Sequence, residues 1–372
     1  MVRRDLLRPV EKGVRISKRN RARACGEKRT MKKAVNFWIA VLFILSAGTF
    51  GPAWADGAAA PSATPALAPN LAGSETRLLP ANYDIWACDW APDGKTMVFA
   101  GKMQGEDSVK MRIWYWPLDP VSDPAPLTNT DQLIDFSPRY SPDGTKIAMI
   151  RRSAARSNLV SAVWLKDLKS GAGRQVSNGP TDRDPCWSPD GTKIVFSRGQ
   201  GVYQAALKSI NLADGALRDL AGREGELLNS PWWGSNGRIY YTKFTPAPKN
   251  TVMGGKTYQV MDFGRGAIWE CNPGDGSSRP VVADEFDNRL PVLSPDGVLL
   301  AFVSTRPGGK DDNGKYDRGS LFIKNLNTGE ISFVTGKVSL NGGSLAWSRD
   351  GKKLAFFTFR SIRPAIWVLN MP

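Results

Sequence analysis

The chain has 372 residues, of which 41% are hydrophobic and 23% charged, and this composition excludes disorder over most of its length. It carries 50 Lys and Arg against 35 Asp and Glu, a net charge of +15 at neutral pH. It contains no histidine, which excludes Ser-His-Asp and Cys-His catalysis and the usual zinc sites.

The basic excess lies at the start of the chain. Residues 1–55 hold 13 of the basic residues and 3 of the acidic ones. Two lysines and an apolar stretch, Phe37 to Phe50, precede an Ala-Trp-Ala cleavage signal there. We therefore predict a basic leader and a secretory signal peptide over 1–55, with the true start at Met31 and cleavage after Ala55. The apolar stretch has 14 residues, against about 20 for a membrane-spanning helix, so the mature chain should have no transmembrane anchor.

The mature chain keeps 37 basic and 32 acidic residues, a net charge of +5, so nucleic-acid binding loses its main support. We expect a periplasmic or secreted protein. Three cysteines, Cys88, Cys186 and Cys271, are too few and too scattered for a disulfide framework, and we predict buried free thiols. Residues 56–74, rich in Ala and Pro, are predicted to form a flexible linker.

Everything after the linker repeats. Six related stretches occur: WAPDGKTMVFA at 90, YSPDGTKIAMI at 140, WSPDGTKIVFS at 187, WGSNGRIYYTK at 233, LSPDGVLLAFV at 293 and WSRDGKKLAFF at 347. The residues before their turn glycines are 50, 47, 46, 60 and 54 positions apart, a period typical of propeller blades.

Each copy predicts the same local structure. A first strand ends at the Trp or its substitute, Ser-Pro-Asp-Gly makes a tight turn, and a β-branched run forms the second strand. Predicted third strands are 111–116, 162–165, 202–205, 267–270, 321–324 and 365–368, and a fourth follows, as at 331–334. The sequence therefore predicts an all-β fold over 75–372, a six-bladed β-propeller of four-stranded antiparallel blades.

The sixth copy ends after its third strand, and the chain supplies a substitute at its front. Residues 75–79, Glu-Thr-Arg-Leu-Leu, resemble the fourth-strand position of the other copies. We expect this N-terminal strand to close the last blade as its outer edge.

The repeat W-S-P-D-G-x-K-I-A-F, quoted above in six forms, resembles the WD-like repeat of the TolB-type six-bladed β-propeller family. The resemblance covers about residues 75–372 and implies a protein partner in the cell envelope. TolB itself carries an α/β domain before its propeller, and propeller peptidases append a hydrolase domain. Here an Ala/Pro linker takes the place of the former, so we expect a propeller without the TolB N-terminal domain.

Strand alternation places the long loops on the face opposite the Ser-Pro-Asp-Gly turns. These loops are 244–265, 306–319 and the shorter 151–158. Long loops on a rigid fold are frequent binding sites, so the partner is expected to approach this face.

Polar residues at the blade entries are predicted to surround the mouth of the central channel. The candidate ligand-binding residues are Asp84, Trp86, Asp135, Asp182, Arg183, Asp184, Asp287, Arg289 and Asn341, with Asn229 and Asn288 at related positions. Such carboxylates could hold Ca²⁺ or a cationic partner group, and the competing interpretation is that they are solvated residues capping strand ends. No other cofactor is expected. Residues 311–317 resemble a calcium loop only faintly, and a plain turn is favoured.

These features favour a non-catalytic, monomeric propeller that binds an envelope protein or peptide through its loop-rich face and channel mouth. The alternatives are a carboxylate-dependent glycoside hydrolase, with Asp135 paired to Asp182 or Asp184, and an oligosaccharide-binding propeller. Most of the 13 Trp residues lie at repeat positions and are expected to pack between blades, whereas Trp86 is the candidate for ligand contact.

Overall fold

The computed structural model describes residues 74–371, except 79, 81, 108–109, 130–132, 154–159, 202, 254–255, 308–318, 337, 341–343 and 359–364. The predicted leader, cleavage site and linker up to residue 73 lie outside the described residues. Within the described part, every regular element is a β-strand.

Antiparallel pairing divides most of the strands into groups of four, which we call blades. Blade 1 contains β2 (Tyr83–Trp90), β3 (Thr96–Met103), β4 (Arg112–Pro117) and β5 (Ala125–Pro126). In blade 2 are β6 (Leu133–Tyr140), β7 (Lys146–Ser153), β8 (Ser161–Asp167) and β9 (Gly173–Gln175). Blade 3 has β10 (Asp182–Trp187), β11 (Lys193–Gly199), β12 (Ala205–Asn211) and β13 (Leu217–Ala221).

The second half of the chain continues this order, with one insertion and one returning strand. Blade 4 is formed by β14 (Leu227–Trp233), β15 (Ile239–Phe244), β18 (Ala267–Cys271) and β19 (Ser278–Val282), and β16 (Ala247–Met253) and β17 (Lys256–Asp262) form a separate hairpin. Blade 5 holds β20 (Asn288–Leu293), β21 (Leu299–Ser304), β22 (Ser320–Asn325) and β23 (Ile331–Gly336). Blade 6 consists of β24 (Leu345–Trp347), β25 (Lys353–Thr358), β26 (Ala365–Asn370) and β1 (Glu75–Leu78).

The first strands of the blades form the inside of the molecule. They contact one another in chain order, β2 to β6, β10, β14, β20 and β24, and β24 also contacts β2. This arrangement confirms the predicted all-β propeller. The edge of blade 6 is β1, whose register with β26 runs from Glu75 opposite Leu369 to Leu78 opposite Ile366.

The Ser-Pro-Asp-Gly turns satisfy their own polar groups. In the turn of blade 3, the Ser188 hydroxyl donates to Asp190 at 2.6 Å, and its oxygen accepts the Lys193 N–H at 2.9 Å. Asp190 also accepts the Thr192 N–H at 3.0 Å, and Gly191 adopts φ = 70°, a conformation that disfavours any side chain. These internal bonds explain why the motif recurs in the blades.

The core lies between blades. Ile150 and Leu165 of blade 2 pack with Ile194 and Phe196 of blade 3, and Trp187 joins the same cluster. The repeat Trp also bonds across the interface, because its indole Nε1 donates to the Arg139 carbonyl of blade 2 at 3.1 Å. Trp347 makes the same bond to the Val292 carbonyl of blade 5 at 3.3 Å. Trp187 and Trp347 therefore hold neighbouring blades together, as expected for the repeat Trp residues.

The three cysteines of the propeller are free and buried, as predicted. Burial raises the pKa of Cys88 and Cys271 to about 12 and that of Cys186 to about 11. These thiols therefore remain protonated at neutral pH.

Two details differ from the sequence prediction. The third strand of blade 3 is Ala205–Asn211, so it begins where the predicted strand 202–205 ends. The predicted irregular loop 244–265 contains a hairpin, β16–β17, paired from Ala247 opposite Asp262 to Met253 opposite Lys256.

Candidate functional site

The inner strands of blades 2 to 5 share an interruption near the channel axis. In each, a residue with positive φ precedes a proline, and the strand register shifts at that point. The pairs are Ser137-Pro138, Asp184-Pro185, Ser230-Pro231 and Leu290-Pro291, with φ values of 52°, 50°, 52° and 58°. Proline has no N–H to donate to the ladder, so the bulge turns these residues away from the neighbouring strand.

The bulges enclose a cavity at the centre of the ring. Its volume is about 50 Å³, and residues of all six inner strands or their entries line it, including Ala87, Ser137, Asp184, Ser230, Leu290 and Ser344. A cavity of this size accommodates a few water molecules at most. The waist of the channel is therefore narrow, and any larger ligand must remain at the mouth.

Arg139 of blade 2 lies across this waist. Its Nη1 is 3.6 Å from Asp89 Oδ1 of blade 1 and donates to the Leu345 carbonyl of blade 6 at 3.4 Å. The guanidinium also lies 5.3 Å from the ring centre of Trp232 in blade 4. Burial raises the pKa of Asp89, and the Arg139 charge opposes that increase. One side chain thus links four blades and narrows the channel further.

Two predicted mouth carboxylates are paired within their own blades. Asp135 is fully buried and bonds to Arg151 on the adjacent strand at 2.7 and 2.8 Å. Asp182 is equally buried and bonds to Arg198 at 2.7 and 2.9 Å. Asp182 also accepts the Ser177 hydroxyl at 2.5 Å. Both oxygens of each carboxylate are therefore committed to an arginine of the same blade, and this geometry gives no support to a catalytic carboxylate pair.

The pairing extends to other blade entries. Asp84 lies 3.4 Å from Lys102, its partner on β3. Asp287 bonds to Arg289 at 2.7 and 2.6 Å and accepts the Gly266 N–H at 2.9 Å. The Arg289 guanidinium also lies 4.9 Å from the ring centre of Phe244. Each of these predicted carboxylates is thus compensated by a cation of its own blade.

Asp184 and Arg183 behave differently from the paired residues. Asp184 lines the central cavity and accepts the Ser230 N–H of the next blade at 3.2 Å. The Arg183 side chain makes no hydrogen bond or ion pair with the described residues, and burial lowers its pKa while the nearby Asp184 charge opposes that change. Arg183 is therefore a charged group at the mouth that a ligand could engage.

The remaining predicted residues have mixed surroundings. Trp86 is half-buried against the core between blades 1 and 2. Asn288 is fully buried and donates to Asp284 at 2.8 Å, whereas Asn229 lies 3.5 Å from the Ser197 hydroxyl. Asn341 and the segment 311–317 lie outside the described residues. Among the residues that are described, no three acidic or cysteine side chains converge to hold a metal ion, so the calcium hypothesis gains no ligand set from them.

Residues 70–237 match the family model described as the TolB beta propeller domain. Residues 70–237 are therefore similar to a TolB-type propeller domain, and the described strands form a β-propeller. No curated protein sequence matches the chain significantly.

Solved structures agree with this assignment at the level of the fold. TolB from Acinetobacter baumannii superposes with a TM-score of 0.54 at 17% identity, covering 78% of this chain and 64% of that protein. A putative TolB from Agrobacterium tumefaciens gives 0.54 at 18% identity, with 78% and 90% covered. An oligogalacturonate lyase from Vibrio parahaemolyticus gives 0.50 at 14% identity, with 80% and 93% covered. This chain therefore spans less than two thirds of the Acinetobacter protein.

The propeller exposes apolar side chains unevenly. Among the described residues, seven large hydrophobic side chains are exposed, and five of them lie on the face of the long loops. Those five are Met103, Val160, Val252, Tyr258 and Val260, and the last three belong to the β16–β17 hairpin. Only Val121 and Leu217 lie on the opposite, turn-bearing face. We call the first of these the loop face and the second the turn face.

Sequence reasoning did not identify the waist residues or the hairpin of the propeller. A signal for the waist was present, because a proline occurs two residues before the repeat Trp position in four consecutive blades. For the hairpin, the signal was a Gly-Gly pair between two runs that alternate in polarity.

A search of the described residues for membrane-spanning helices finds none of sufficient length and hydropathy.

Proposed function

We propose that this TolB-type propeller is an exported, non-catalytic module that binds a protein partner of the cell envelope on its loop face, around the channel mouth. The observation that carries the proposal is the concentration of exposed apolar side chains on that face. Exposed apolar groups gathered on one side of a soluble domain mark interaction sites.

The polar groups of the mouth support a binding role rather than catalysis. The carboxylates of Asp135, Asp182 and Asp287 are held by arginines, so they contribute rigidity rather than reactivity. Arg183 is a cation beside this site whose side chain forms no ion pair with the described residues. A partner that covers Met103 and Val160 and places an acceptor near Arg183 would match this surface.

The experiment compares the two faces in the mature chain, residues 56–372, immobilised and exposed to envelope extract. The loop-face variant is Met103→Ser/Val160→Ser, and the turn-face control is Val121→Ser/Leu217→Ser, which removes the same number of exposed apolar side chains. We expect the loop-face variant to capture at least tenfold less partner than the unmodified chain does. The control should capture the same amount as the unmodified chain. The reverse pattern, or equal losses, would refute the loop face as the binding surface.

Export is tested separately. When the full chain is expressed with its leader, the protein recovered from the periplasm or medium should begin at Asp56. Retention of the intact leader in the cytoplasm would contradict the exported role.

A further inference from the structure

The two edges of the β16–β17 hairpin differ in hydrogen-bonding capacity. Pro248 of β16 lies opposite Met261, and because proline has no N–H this pair cannot exchange both ladder bonds. Bonded and non-bonded pairs alternate in an antiparallel ladder, so Asn250–Gln259 and Val252–Thr257 are non-bonded pairs as well. On β17, the backbone N–H and C=O groups of Thr257, Gln259 and Met261 therefore point away from β16.

The edge of β16 is poorly suited to bind another strand. Pro248 removes one of its outward donors, which is a common way of protecting an edge. The β17 edge has no proline, and in the described part of the chain it pairs with no strand other than β16. A two-stranded hairpin is only marginally stable by itself in water, so an added strand would stabilise it.

The sequence of β17, Lys-Thr-Tyr-Gln-Val-Met-Asp, is complementary to itself. If two copies run antiparallel about Gln259, the register places Lys256 opposite Asp262 and Tyr258 opposite Val260. Aromatic–β-branched pairs are favourable cross-strand neighbours. Tyr258 and Val260 are 45% and 38% exposed, so both have surface left to bury.

The alternation of inward-pointing and outward-pointing backbone groups along β17 fits the same register. Gln259 opposite Gln259, and Thr257 opposite Met261, would be bonded pairs, and these are the residues whose backbone groups point outward. Other antiparallel registers that keep these residues in bonded pairs would pair fewer than the seven residues of β17. They would also place Lys256 and Asp262 opposite other residues.

We propose that two copies of this chain associate through their β17 edges, forming a four-stranded sheet about a twofold axis at Gln259. Such an isologous contact is self-complementary, and it replaces the monomer expected from the sequence. Two hairpins bury less area than a permanent dimer requires, so the association is weak and depends on concentration. It brings the loop faces of two propellers together.

The first test uses a single cysteine at the axis. In the mature chain, Gln259→Cys should form a disulfide-linked dimer under mild oxidation, because bonded antiparallel residues have Cα atoms about 5.5 Å apart, within disulfide range. The native thiols are buried and do not interfere. The matched control is Asn250→Cys, the exposed cross-strand partner on the opposite edge. We expect cross-linking at least tenfold faster at 259, and equal rates or no cross-link at 259 would overturn the proposal.

The second test measures association without cross-linking. Sedimentation velocity over a concentration series should show dimer formation by the unmodified mature chain. Gln259→Lys places two like charges at the axis and should weaken the dimer at least tenfold, whereas Asn250→Lys should leave it unchanged. A strictly monomeric chain, or equal weakening by both variants, would overturn the β17 interface. This inference rests on a surface near the proposed binding face, but its two tests involve no envelope partner. A failure to dimerise would therefore leave the proposed function standing, and a failure to capture a partner would leave the dimer standing.

Discussion

On the turn face, each Ser-Pro-Asp-Gly segment closes its hydrogen bonds within a few residues, as Ser188 and Asp190 do. On the loop face, Asp135 and Asp182 each depend on an arginine sixteen residues away on the adjacent strand. The turn motif can therefore recur in every blade, because its polar groups form their hydrogen bonds within the same few residues. The loop face depends on strand register and can differ from blade to blade, which is what a binding surface requires.

The largest effect should come from breaking a buried pair near the loop face. Asp182→Ala leaves Arg198 without its carboxylate in a buried setting, and we expect a loss of about 3–5 kcal/mol in the free energy of unfolding. Urea denaturation measures this loss. The control Asp84→Ala breaks a longer, more exposed pair with Lys102 and should cost less than about 1 kcal/mol. Equal losses would show that burial does not distinguish the two pairs.

The next largest loss in the free energy of unfolding is expected from a substitution at a glycine of the turn face. Gly94 has φ = 65° and no atom within 4 Å of an added Cβ, so Gly94→Ala incurs the backbone cost alone. We expect a loss of about 1–2 kcal/mol, measured by urea denaturation. In the control, Gly173→Ala, the added Cβ meets only a carbonyl oxygen at 3.8 Å and φ is not positive. A loss at Gly173 as large as at Gly94 would contradict the conformational explanation.

The stabilisation provided by the turn-face carboxylates should be lost over a defined range of acid pH. Hydrogen bonds from Ser141 and Thr145 lower the pKa of Asp143 to about 2, and the pKa values of Asp190 and Asp350 are lowered by their own turns. Because the folded state favours the ionised form, this stability is present above about pH 4 and is lost as the pH falls towards about 2. The free energy of unfolding, measured against pH, should show this slope.

The control for the acid range replaces the three turn carboxylates with asparagine. This variant should be less stable at neutral pH and should show a shallower slope below about pH 4. An unchanged slope would mean that other carboxylates control acid unfolding.

The smallest effect on stability is expected at the hairpin. Tyr258→Ser changes an exposed side chain of β17, so the free energy of unfolding should shift by less than about 0.5 kcal/mol. Thermal and urea denaturation measure the shift. A large loss would mean that the hairpin contributes to the stability of the propeller, rather than being an appendage on it.

The sequence was most informative where structure is local. A turn of the Ser-Pro-Asp-Gly type specifies its own conformation, so six related and regularly spaced turns predict the repeat and its strands from the sequence. The β16–β17 hairpin was missed because its strands were interpreted as one long loop, although a Gly-Gly pair separates two alternating runs.

The positions of these carboxylates at the blade entries were predictable, but their partners were not. Counting back from the repeat Trp located Asp135 and Asp182 at the blade entries. The arginines that hold them depend on which residues of the second strand lie opposite, and the bulge at each proline changes that register. Arg139 could not be assigned to the waist either, because its contacts come from blades far apart in the chain.

The pairing of β1 with β26 also determines how the molecule would respond to tension. Glu75 lies opposite Leu369, so the chain enters and leaves this strand pair at the same end. A force that separates the two ends of the propeller would load the pairs one after another, as in a zipper, instead of shearing them together. A tether attached through the residues before Ser74 would therefore strain the outer edge of blade 6 first.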